Sequence, residues 1–267
     1  MTDRHDVDAL RDVAVRLARQ AGDMAMHGRR EGPVSANAKS TSIDLVTEFD
    51  KASEQLITEG LALHRPNDGI VGEEGADKQG TSGIVWHIDP IDGTTNFFFD
   101  IPLWAVSIGA VDAKGPVAGA VYIPGLSEMF SAARGTGAFV NDQPISPRVN
   151  NRISDALVAT GFSYDISQRP HHTHRVAAML NVVRDIRRLG AAAIDLCFVA
   201  AGRYDAYFEE GLNSWDLVAG QIIATEAGAV VTNFSGGIVT PQQVLASSPS
   251  LQQAMIELIA HCERNDS

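Results

Sequence analysis

The sequence predicts an α+β or α/β protein, and three observations support this. Apolar residues recur at helical spacing near the N-terminus, four β-like runs separated by turn residues occupy residues 105 to 140, and strand-like and helical segments alternate after residue 155. The chain has 267 residues, of which 45% are hydrophobic. That is enough for one large core or for two closely joined domains.

Composition also limits the function. A net charge of -12 argues against nucleic acid or an anionic membrane as a partner, because either would require a basic face. The N-terminus is too charged for a secretory signal, and no apolar run reaches membrane-spanning length, so we expect a cytoplasmic enzyme. Cys197 and Cys262 lie far apart and have no CxxC spacing, which favours neither a disulfide framework nor a zinc site.

The first predicted element is an amphipathic helix that ends near residues 29–33. Its apolar stripe repeats at three- and four-residue steps through Val7, Leu10, Ala14, Leu17, Ala21 and Met24. A polar loop is expected at residues 39–42. A second helix is expected from Asp50 to just before Pro66, and a carboxylate at its start would suit the helix dipole whatever its other function.

A short strand at residues 70–72 is predicted to end in two acids. Glu73 and Glu74 follow the apolar run directly and stand between glycines. As neighbours in a strand they should point to opposite faces, so that one can enter a site while the other faces elsewhere.

A second strand, at residues 84–88, is followed by two aspartates. Pro90 lacks an N–H for the sheet and turns the backbone between Asp89 and Asp92, so both carboxylates are expected to point at one place. The strand is expected to stop where these acids begin. An ordinary Asx turn uses the same residue types, so the motif alone leaves both interpretations open.

The next residues favour an anion site. Gly93 permits a close approach of the backbone, and Thr94 and Thr95 suit the first turn of a helix, whose N–H groups lack partners and attract anions. One short segment therefore predicts a site for a hard cation beside a site for a phosphate group.

The four runs between residues 105 and 140 predict an antiparallel meander. In the C-terminal half we expect a strand at Asp155–Thr160, a helix at Arg175–Val183 and a strand that ends at Glu209. Ser214 is expected to cap the following helix, in whose first turn Asp216 could simply complement the dipole.

Several stretches resemble one enzyme family. DPIDGTTNF (residues 89–97) resembles the signature of the inositol monophosphatase family of metal-dependent phosphomonoesterases, and DLVTEFD (44–50), RRLGAAA (187–193) and WDLVAG (215–220) match further family motifs in order. The resemblance covers nearly the whole chain. It implies a layered α-β-α-β-α sandwich of the inositol monophosphatase and fructose bisphosphatase type, with closely joined subdomains at 1–145 and 146–267.

The resemblance also implies the site. It assigns metal ligation to Glu73, Asp89, the Ile91 carbonyl, Asp92 and Asp216. This set of oxygen donors favours Mg²⁺, or alternatively Mn²⁺, with roughly two or three ions per site. Catalytic roles fall to Glu73, Thr94 and Asp50, and substrate contacts to Gly93, Thr94, Thr95, Ala192 and Glu209. Lys39, Glu74 and Arg187 are additional candidates.

Two departures from the family pattern concern the pocket. Asp100 stands where the family tends to have glycine, and Ala191 replaces the usual serine or threonine, which removes a hydroxyl that could contact the leaving group. The sequence therefore does not decide which residues form the rim of the pocket or which group hydrogen-bonds to the leaving group.

The leading functional expectation is Mg²⁺-dependent hydrolysis of myo-inositol monophosphate or a related polyol phosphate by direct attack of water. No GxSxG elbow, Walker loop or GxGxxG motif is present. Histidinol phosphate is the alternative substrate, since relatives use the same metal core for it. A non-catalytic scaffold should have lost ligands, and all four acids are present. Family members are usually dimers, so a homodimer is expected.

Overall fold

The computed structural model describes residues 4–32, 34–39 and 45–264. Its helices are α1 (Arg4–Glu31), α2 (Glu48–His64), α3 (Thr94–Phe98), α4 (Arg169–Met179), α5 (Ala192–Ala200), α6 (Ser214–Ala227) and α7 (Gln252–Arg264). Its strands are β1 (Ala36–Ala38), β2 (Leu45–Thr47), β3 (Gly69–Gly72), β4 (Asp77–Lys78), β5 (Val85–Asp92), β6 (Ala105–Asp112), β7 (Gly115–Ile123), β8 (Glu128–Ala133), β9 (Ala138–Val140), β10 (Gln143–Pro144), β11 (Leu157–Thr160), β12 (Asp185–Arg187), β13 (Ala206–Glu210), β14 (Val230–Thr232) and β15 (Gln243–Ser247).

The strands form two main sheets. The larger has eight strands in the order β10-β9-β8-β7-β6-β5-β3-β4, and the smaller has five in the order β12-β11-β13-β15-β14. The predicted meander is confirmed, because β6 to β9 pair antiparallel in sequence order. None of the described helices is both long and apolar enough to cross a bilayer.

The elements stack in five layers. Helices α1 and α2 cover one face of the large sheet, α5 and α6 lie between the two sheets, and α4 and α7 cover the outer face of the small sheet. The first core cluster contains the predicted apolar stripe of α1, with Leu10, Ala14 and Ala21 fully buried. The α-β-α-β-α sandwich is therefore confirmed.

The two sheets use separate parts of the chain. The large sheet ends at Pro144 and the small sheet begins at Leu157, while α6 packs against strands of both. This arrangement supports the division into subdomains 1–145 and 146–267, which stays a proposal.

Several local predictions need correction. The strand that carries the aspartates continues through both of them to Asp92, with a shift of register between Asp89 and Asp92 that accommodates Pro90, which cannot donate to the ladder. Helix α4 begins at Arg169 and ends at Met179, whereas the predicted helix began six residues later. Pro170 in its first turn suits a helix start, which the prediction overlooked. Residues 40–44, which include most of the predicted polar loop and Asp44, lie outside the described residues.

Helix α6 lies directly on strands β6 and β7 because those strands carry glycine beneath it. A Cβ added at Gly109 would lie 2.5 Å from Val218 Cγ1 and 2.7 Å from the backbone nitrogen of Ala219, and one at Gly119 would lie 2.9 Å from the Ala219 Cα. The contact with a backbone atom cannot be relieved by rotating a side chain. These glycines therefore set the distance between α6 and the large sheet.

We expect Gly109→Ala to destabilise the protein by about 1–3 kcal/mol, because the added methyl group overpacks the contact with α6. Chemical denaturation with circular dichroism measures the change. Gly32→Ala is the matched control, since a Cβ there meets nothing within 4 Å. Equal stability of the two variants would contradict the close contact.

Candidate active site

Three elements bring acidic side chains to one edge of the large sheet. Strands β3 and β5 pair in parallel, so the acids after Gly72 and at the end of β5 lie at the same edge. Helix α6 packs across β5, β6 and β7 and contributes Asp216 from its first turn. A cavity of about 350 Å³ opens here. Its lining includes Lys39, Glu73, Asp89, Ile91, Asp92, Gly93, Thr94, Ala192, Glu209 and Asp216.

Asp89 lies at the centre of the acid cluster. Its carboxyl group is within hydrogen-bonding reach of the Glu73 and Asp216 side chains, and one of its oxygens accepts a 3.0 Å hydrogen bond from the Ile91 N–H. Burial and then the neighbouring charges of Glu73, Asp92 and Asp216 raise the pKa of Asp89 well above its ordinary value. Acids separated by more than a hundred residues thus meet around one carboxylate.

Glu73 is held at one oxygen and open at the other. Its Oε1 accepts a 2.8 Å hydrogen bond from Lys39 Nζ, while Oε2 is buried and receives no hydrogen bond from any described residue. Lys39 also pairs with Glu74. Burial opposes the charge of Lys39, but both glutamates stabilise it and its pKa is raised. The lone oxygen of Glu73 is an acceptor that lacks a positive partner.

Glu73 and Glu74 do not point to opposite faces, which corrects the sequence prediction. Strand β3 ends at Gly72, so both glutamates lie in the turn that follows, where the alternation of a strand no longer applies. Both side chains contact Lys39 as a result.

Asp92 is tied to helix α5. Its two carboxylate oxygens accept hydrogen bonds of 3.1 Å from Ala192 N and 2.8 Å from Ala193 N, the first amides of that helix. Burial raises the pKa of Asp92 well above its ordinary value, followed by the charge of Asp216, and the Ala193 amide opposes the shift. The Ala192 amide therefore already donates to a carboxylate at the cavity wall.

Thr94 links the cavity to Asp50. The Thr94 hydroxyl is 3.1 Å from both Asp50 Oδ1 and the Ile91 carbonyl oxygen, so it can donate to one of them at a time. Asp50 also accepts from the backbone and hydroxyl of Thr47 and completes the capping box of α2. Burial raises the pKa of Asp50 to about 6 despite these hydrogen bonds. Asp50 therefore caps α2 and also contacts Thr94 in the cavity wall, so the capping interpretation and the site interpretation of its sequence position are compatible.

Glu209 lies on the far wall of the cavity at the end of β13. Its Oε2 accepts a 2.7 Å hydrogen bond from the Tyr207 hydroxyl. Burial raises the pKa of Glu209 to about 7, although the bond from Tyr207 and the charge of Arg188 lower it.

Asp216 is fixed by a capping box at the start of α6. Its Oδ2 accepts a 2.7 Å hydrogen bond from the Asn213 N–H, so Asn213 is the N-cap and the predicted cap at Ser214 is wrong. The Ser214 hydroxyl lies 2.8 Å from His87 Nδ1 instead. The sequence signal for the cap falls on adjacent residues, both of which favour that position.

Four predicted residues do not line this cavity: Asp50 and Glu74, which contact its lining residues Thr94 and Lys39, and Thr95 and Arg187. Thr95 lines a neighbouring cavity rather than this one. Arg187 is exposed, and its guanidinium donates to Asp185 at 2.6 Å. Asp100 is also exposed and has a φ of 61°, a left-handed conformation that explains why glycine suits this position.

Sequence reasoning missed Glu54. This buried glutamate on α2 accepts hydrogen bonds of 2.9 Å from the Glu74 and Ala76 amides, one to each carboxylate oxygen. It therefore fixes the turn that carries Glu73. The available signal was an acid on the apolar face of α2, close to the buried positions Ile57 and Leu61.

We expect Glu54→Gln to lower the free energy of unfolding by about 1–3 kcal/mol, because an amide can accept with one oxygen only and one half-buried N–H loses its partner. Denaturant titration measures this loss. Glu59→Gln is the matched control on the same helix, since Glu59 is exposed and accepts from Gln55 alone among its described contacts. An equal loss in the free energy of unfolding in both variants would show that Glu54 does not stabilise the turn that carries Glu73.

The donors of the cavity fit a hard cation. In the described part of the chain no three His, Cys, Asp or Glu side chains already form a finished metal site, and the carboxylates instead contact amides and one another. Four acids whose pKa values are raised by burial and by one another, and a buried Glu73 oxygen without a donor, show that negative charges are crowded here, and either protons or bound cations would neutralise them. Oxygen donors of this kind select Mg²⁺ or Mn²⁺ over softer metals.

Comparison with known proteins identifies the family. The family model described as the inositol monophosphatase family matches residues 6–264. The chain belongs to the inositol monophosphatase family. It is therefore a phosphoric monoester hydrolase, and members of this family are generally metal-dependent.

Individual relatives match this chain over almost its full length. An inositol-1-monophosphatase of Mycobacterium bovis is 41% identical, over 96% of this chain and 93% of its own. A protein of Pasteurella multocida named Nus factor SuhB is 39% identical, over 94% of this chain and 96% of its own. The structure of an inositol monophosphatase from Anabaena matches with a TM-score of 0.86 and 32% identity, over 96% of this chain and 97% of its own. A relative named inositol-1-monophosphatase and one named Nus factor SuhB thus match this chain at similar sequence identity.

Proposed function

We propose that this protein hydrolyses a small polyol phosphate, most simply myo-inositol monophosphate, to the free polyol and inorganic phosphate with Mg²⁺ as cofactor. The observation that carries the proposal is the meeting of Glu73, Asp89 and Asp216 beside Asp92 in one cavity. The family places the chain among phosphomonoesterases, and the name of the M. bovis relative suggests the inositol ester.

The residues proposed to hold Mg²⁺ are Glu73, Asp89, the Ile91 carbonyl, Asp92 and Asp216. Bound cations would neutralise the phosphate oxygens and make water a better nucleophile. The net charge of -12 would otherwise repel an anionic substrate. Lys39 would hold Glu73 in position, since it donates to Oε1 and leaves the buried Oε2 without a donor among the described residues.

Thr94 and Glu73 are proposed to orient the attacking water. Donation from the Thr94 hydroxyl to Asp50 at 3.1 Å leaves the Thr94 oxygen able to accept a hydrogen bond from water. A proton leaving that water can pass through the hydroxyl to Asp50, whose pKa of about 6 lies near the working range of a general base at neutral pH. Asp50 would therefore act as the base of the reaction.

Gly93 and the first amides of α3 are proposed to contact the phosphate group. The φ of 90° at Gly93 turns the chain sharply at the cavity, and a Cβ there would come within 3.3 Å of the Gly190 carbonyl oxygen. Glu209 would accept a hydrogen bond from a substrate hydroxyl on the opposite side. An ammonium group would suit Glu209 equally well, which keeps histidinol phosphate as the alternative substrate.

A phosphate-release assay tests the proposal. We expect turnover of inositol 1-phosphate with Mg²⁺, none after chelation with EDTA, and recovery when Mg²⁺ is added back. Side-by-side kcat/KM values for inositol 1-phosphate and histidinol phosphate decide between the two substrates. Absence of Mg²⁺-dependent release from every ester in such a panel would contradict the proposed function.

We also propose a homodimer, on the family resemblance. The exposed apolar side chains Phe99 and Ile101, at 64% and 44% exposure, support a contact surface after α3. Light scattering on the purified protein measures its mass directly. A monomer at micromolar concentration would exclude the homodimer.

A further inference from the structure

Two side-chain hydrogen bonds join the first turn of α6 to strands β5 and β6. His87 Nδ1 on β5 lies 2.8 Å from the Ser214 hydroxyl oxygen. The Ser107 hydroxyl on β6 donates to the Trp215 carbonyl oxygen at 3.2 Å. The bonded residues are 127 and 108 positions apart in the sequence, so the bonds arise from the packing of distant segments.

The register of the large sheet places both bonds next to Asp89. Ser107 lies directly opposite Asp89 in the antiparallel pairing of β5 with β6, and His87 comes two residues before Asp89 on the same strand. Residues opposite each other, and residues two apart on one strand, point to the same face of a sheet. That face is the one that α6 covers, because a Cβ at Gly109, opposite His87, would meet Val218.

The bonded residues of the helix lie next to its acid in the same way. Ser214 and Trp215 come immediately before Asp216 in the first turn of α6. The carboxyl group of Asp216 is within hydrogen-bonding reach of Asp89. Three successive helix residues thus contact neighbouring residues of the sheet, and the third contact is the one between the two acids.

Other contacts of α6 leave its position along the strands unfixed. Asn213 caps the helix and holds the Asp216 carboxylate, which orients that side chain on its own helix only. The glycines beneath α6 set its distance from the sheet, but apolar packing has no preferred direction. Hydrogen bonds require a narrow range of distance and angle. The bonds of His87 and Ser107 are therefore the contacts suited to fix where the first turn lies.

We propose that His87 and Ser214 are positioning residues for the cation site. Their hydrogen bond, together with that of Ser107, holds the first turn of α6 on β5 and so sets the separation of Asp89 and Asp216 for a divalent cation. This inference rests on the proposed function, specifically on these two acids as ligands. His87 and Ser214 are absent from the lining of the cavity, so they act through the acids and not on the substrate.

Binding of Mn²⁺ to the full-length protein tests this inference independently of catalysis. The electron paramagnetic resonance signal of free aqueous Mn²⁺ measures how much of the ion stays unbound. We expect Ser214→Ala and His87→Phe each to raise the Kd by about 10-fold, as loss of a group that orients a metal ligand does. The Mg²⁺ concentration for half-maximal phosphate release should rise by a similar factor, whereas KM for the ester at saturating Mg²⁺ should stay at the wild-type value.

Conservative substitutions separate the hydrogen bond from the size of the side chains. Ser214→Thr keeps the hydroxyl and His87→Asn keeps a polar atom at the δ position, so both should bind Mn²⁺ more tightly than the variants that lack the bond. The double variant of His87→Phe with Ser214→Ala should bind as tightly as either single variant, because both changes remove the same bond. Increases in Kd that multiply in the double variant would contradict the inference.

Ser247→Ala is the control for a general loss of stability. The Ser247 hydroxyl is buried in the small sheet, bonds to Gln252 at the start of α7 and lies outside the lining of the cavity. We expect this variant to have a lower thermal midpoint and the wild-type Kd for Mn²⁺. An equal rise in Kd in Ser247→Ala and Ser214→Ala would show that lower stability alone weakens the site, and would overturn the positioning role.

The outcomes separate this inference from the proposed function. Absence of Mn²⁺ binding by the wild type would overturn both. Binding that Ser214→Ala and His87→Phe leave unchanged would overturn the positioning role alone. Binding that both variants weaken, without Mg²⁺-dependent hydrolysis of any ester, would support the positioning role and overturn the proposed activity.

Discussion

Asp92→Asn is expected to reduce phosphate release by more than about 100-fold while the fold is retained. Removal of a group that merely orients a metal ligand already costs about 10–100-fold, and loss of a carboxylate that binds the cation should cost more. Asp92 is 6% exposed and lies beside Asp216. Steady-state kinetics at saturating Mg²⁺ measures the loss.

The fold should survive this change because asparagine has nearly the same shape and keeps one acceptor for the α5 amides, while removal of the charge that Asp216 repels offsets the loss of the other acceptor. We expect the far-UV spectrum to be unchanged and the thermal midpoint to stay within about 4 °C of the wild type. Asp77→Asn, an exposed position on β4, is the matched control. Wild-type turnover by Asp92→Asn would refute the proposed cation site, and unfolding of that variant would move the test to Glu73→Gln.

Asp195→Asn is expected to change how stability depends on pH. Asp195 on α5 is 1% exposed, and neither of its carboxylate oxygens receives a hydrogen bond from the described residues. Burial, and then the charges of Glu209 and Asp92, raise its pKa well above the ordinary value, while Arg188 acts in the opposite direction. The folded protein therefore keeps a proton on Asp195 at a pH where the unfolded chain has lost it.

The difference between the folded and unfolded pKa of Asp195 determines the direction in which stability changes with pH. A raised pKa in the folded state stabilises the protein fully below the unfolded pKa of about 3.9, and this contribution is lost as pH rises toward the folded value, at about 1.4 kcal/mol per pH unit. Asparagine has no proton to lose, so the variant should show a flatter profile. Denaturant unfolding from pH 5 to pH 8, with Mg²⁺ present throughout, measures both slopes.

Asp77→Asn again provides the comparison, because it makes the same substitution at an exposed position. Equal slopes for wild type and Asp195→Asn would show that the buried carboxyl is ionised in the folded protein. The measurement is independent of catalysis, so it tests the burial of Asp195 even if the substrate differs from the one proposed.

The sequence predicted the layers of the fold well because they depend on periodic apolar residues. The stripe of α1 and the meander after residue 105 are long patterns, and tertiary packing reinforced both. Local details were harder to predict. Strand β5 continues through Pro90 because the register shift removes the need for its N–H, and no single-residue rule anticipates a bulge.

Family motifs supplied most of the candidate site, and contacts across the fold supplied the rest. The motifs identified Asp89, Asp92 and Asp216, which the structure brings together. They gave no indication of Glu54 or Asp195, because the importance of these acids depends on burial beside amides or other acids from distant segments.

Helix α6 determines what happens when the chain is cleaved between its two sheets. It carries an acid of the proposed cation site in its first turn, contacts the large sheet at Gly109 and Gly119, and also packs against the small sheet. The two halves of the chain, before and after residues 145–156, therefore cannot separate without also separating the acids of the cluster. A protease cut in that connector should leave a nicked but working enzyme, and each fragment purified alone should be inert until it is mixed with the other.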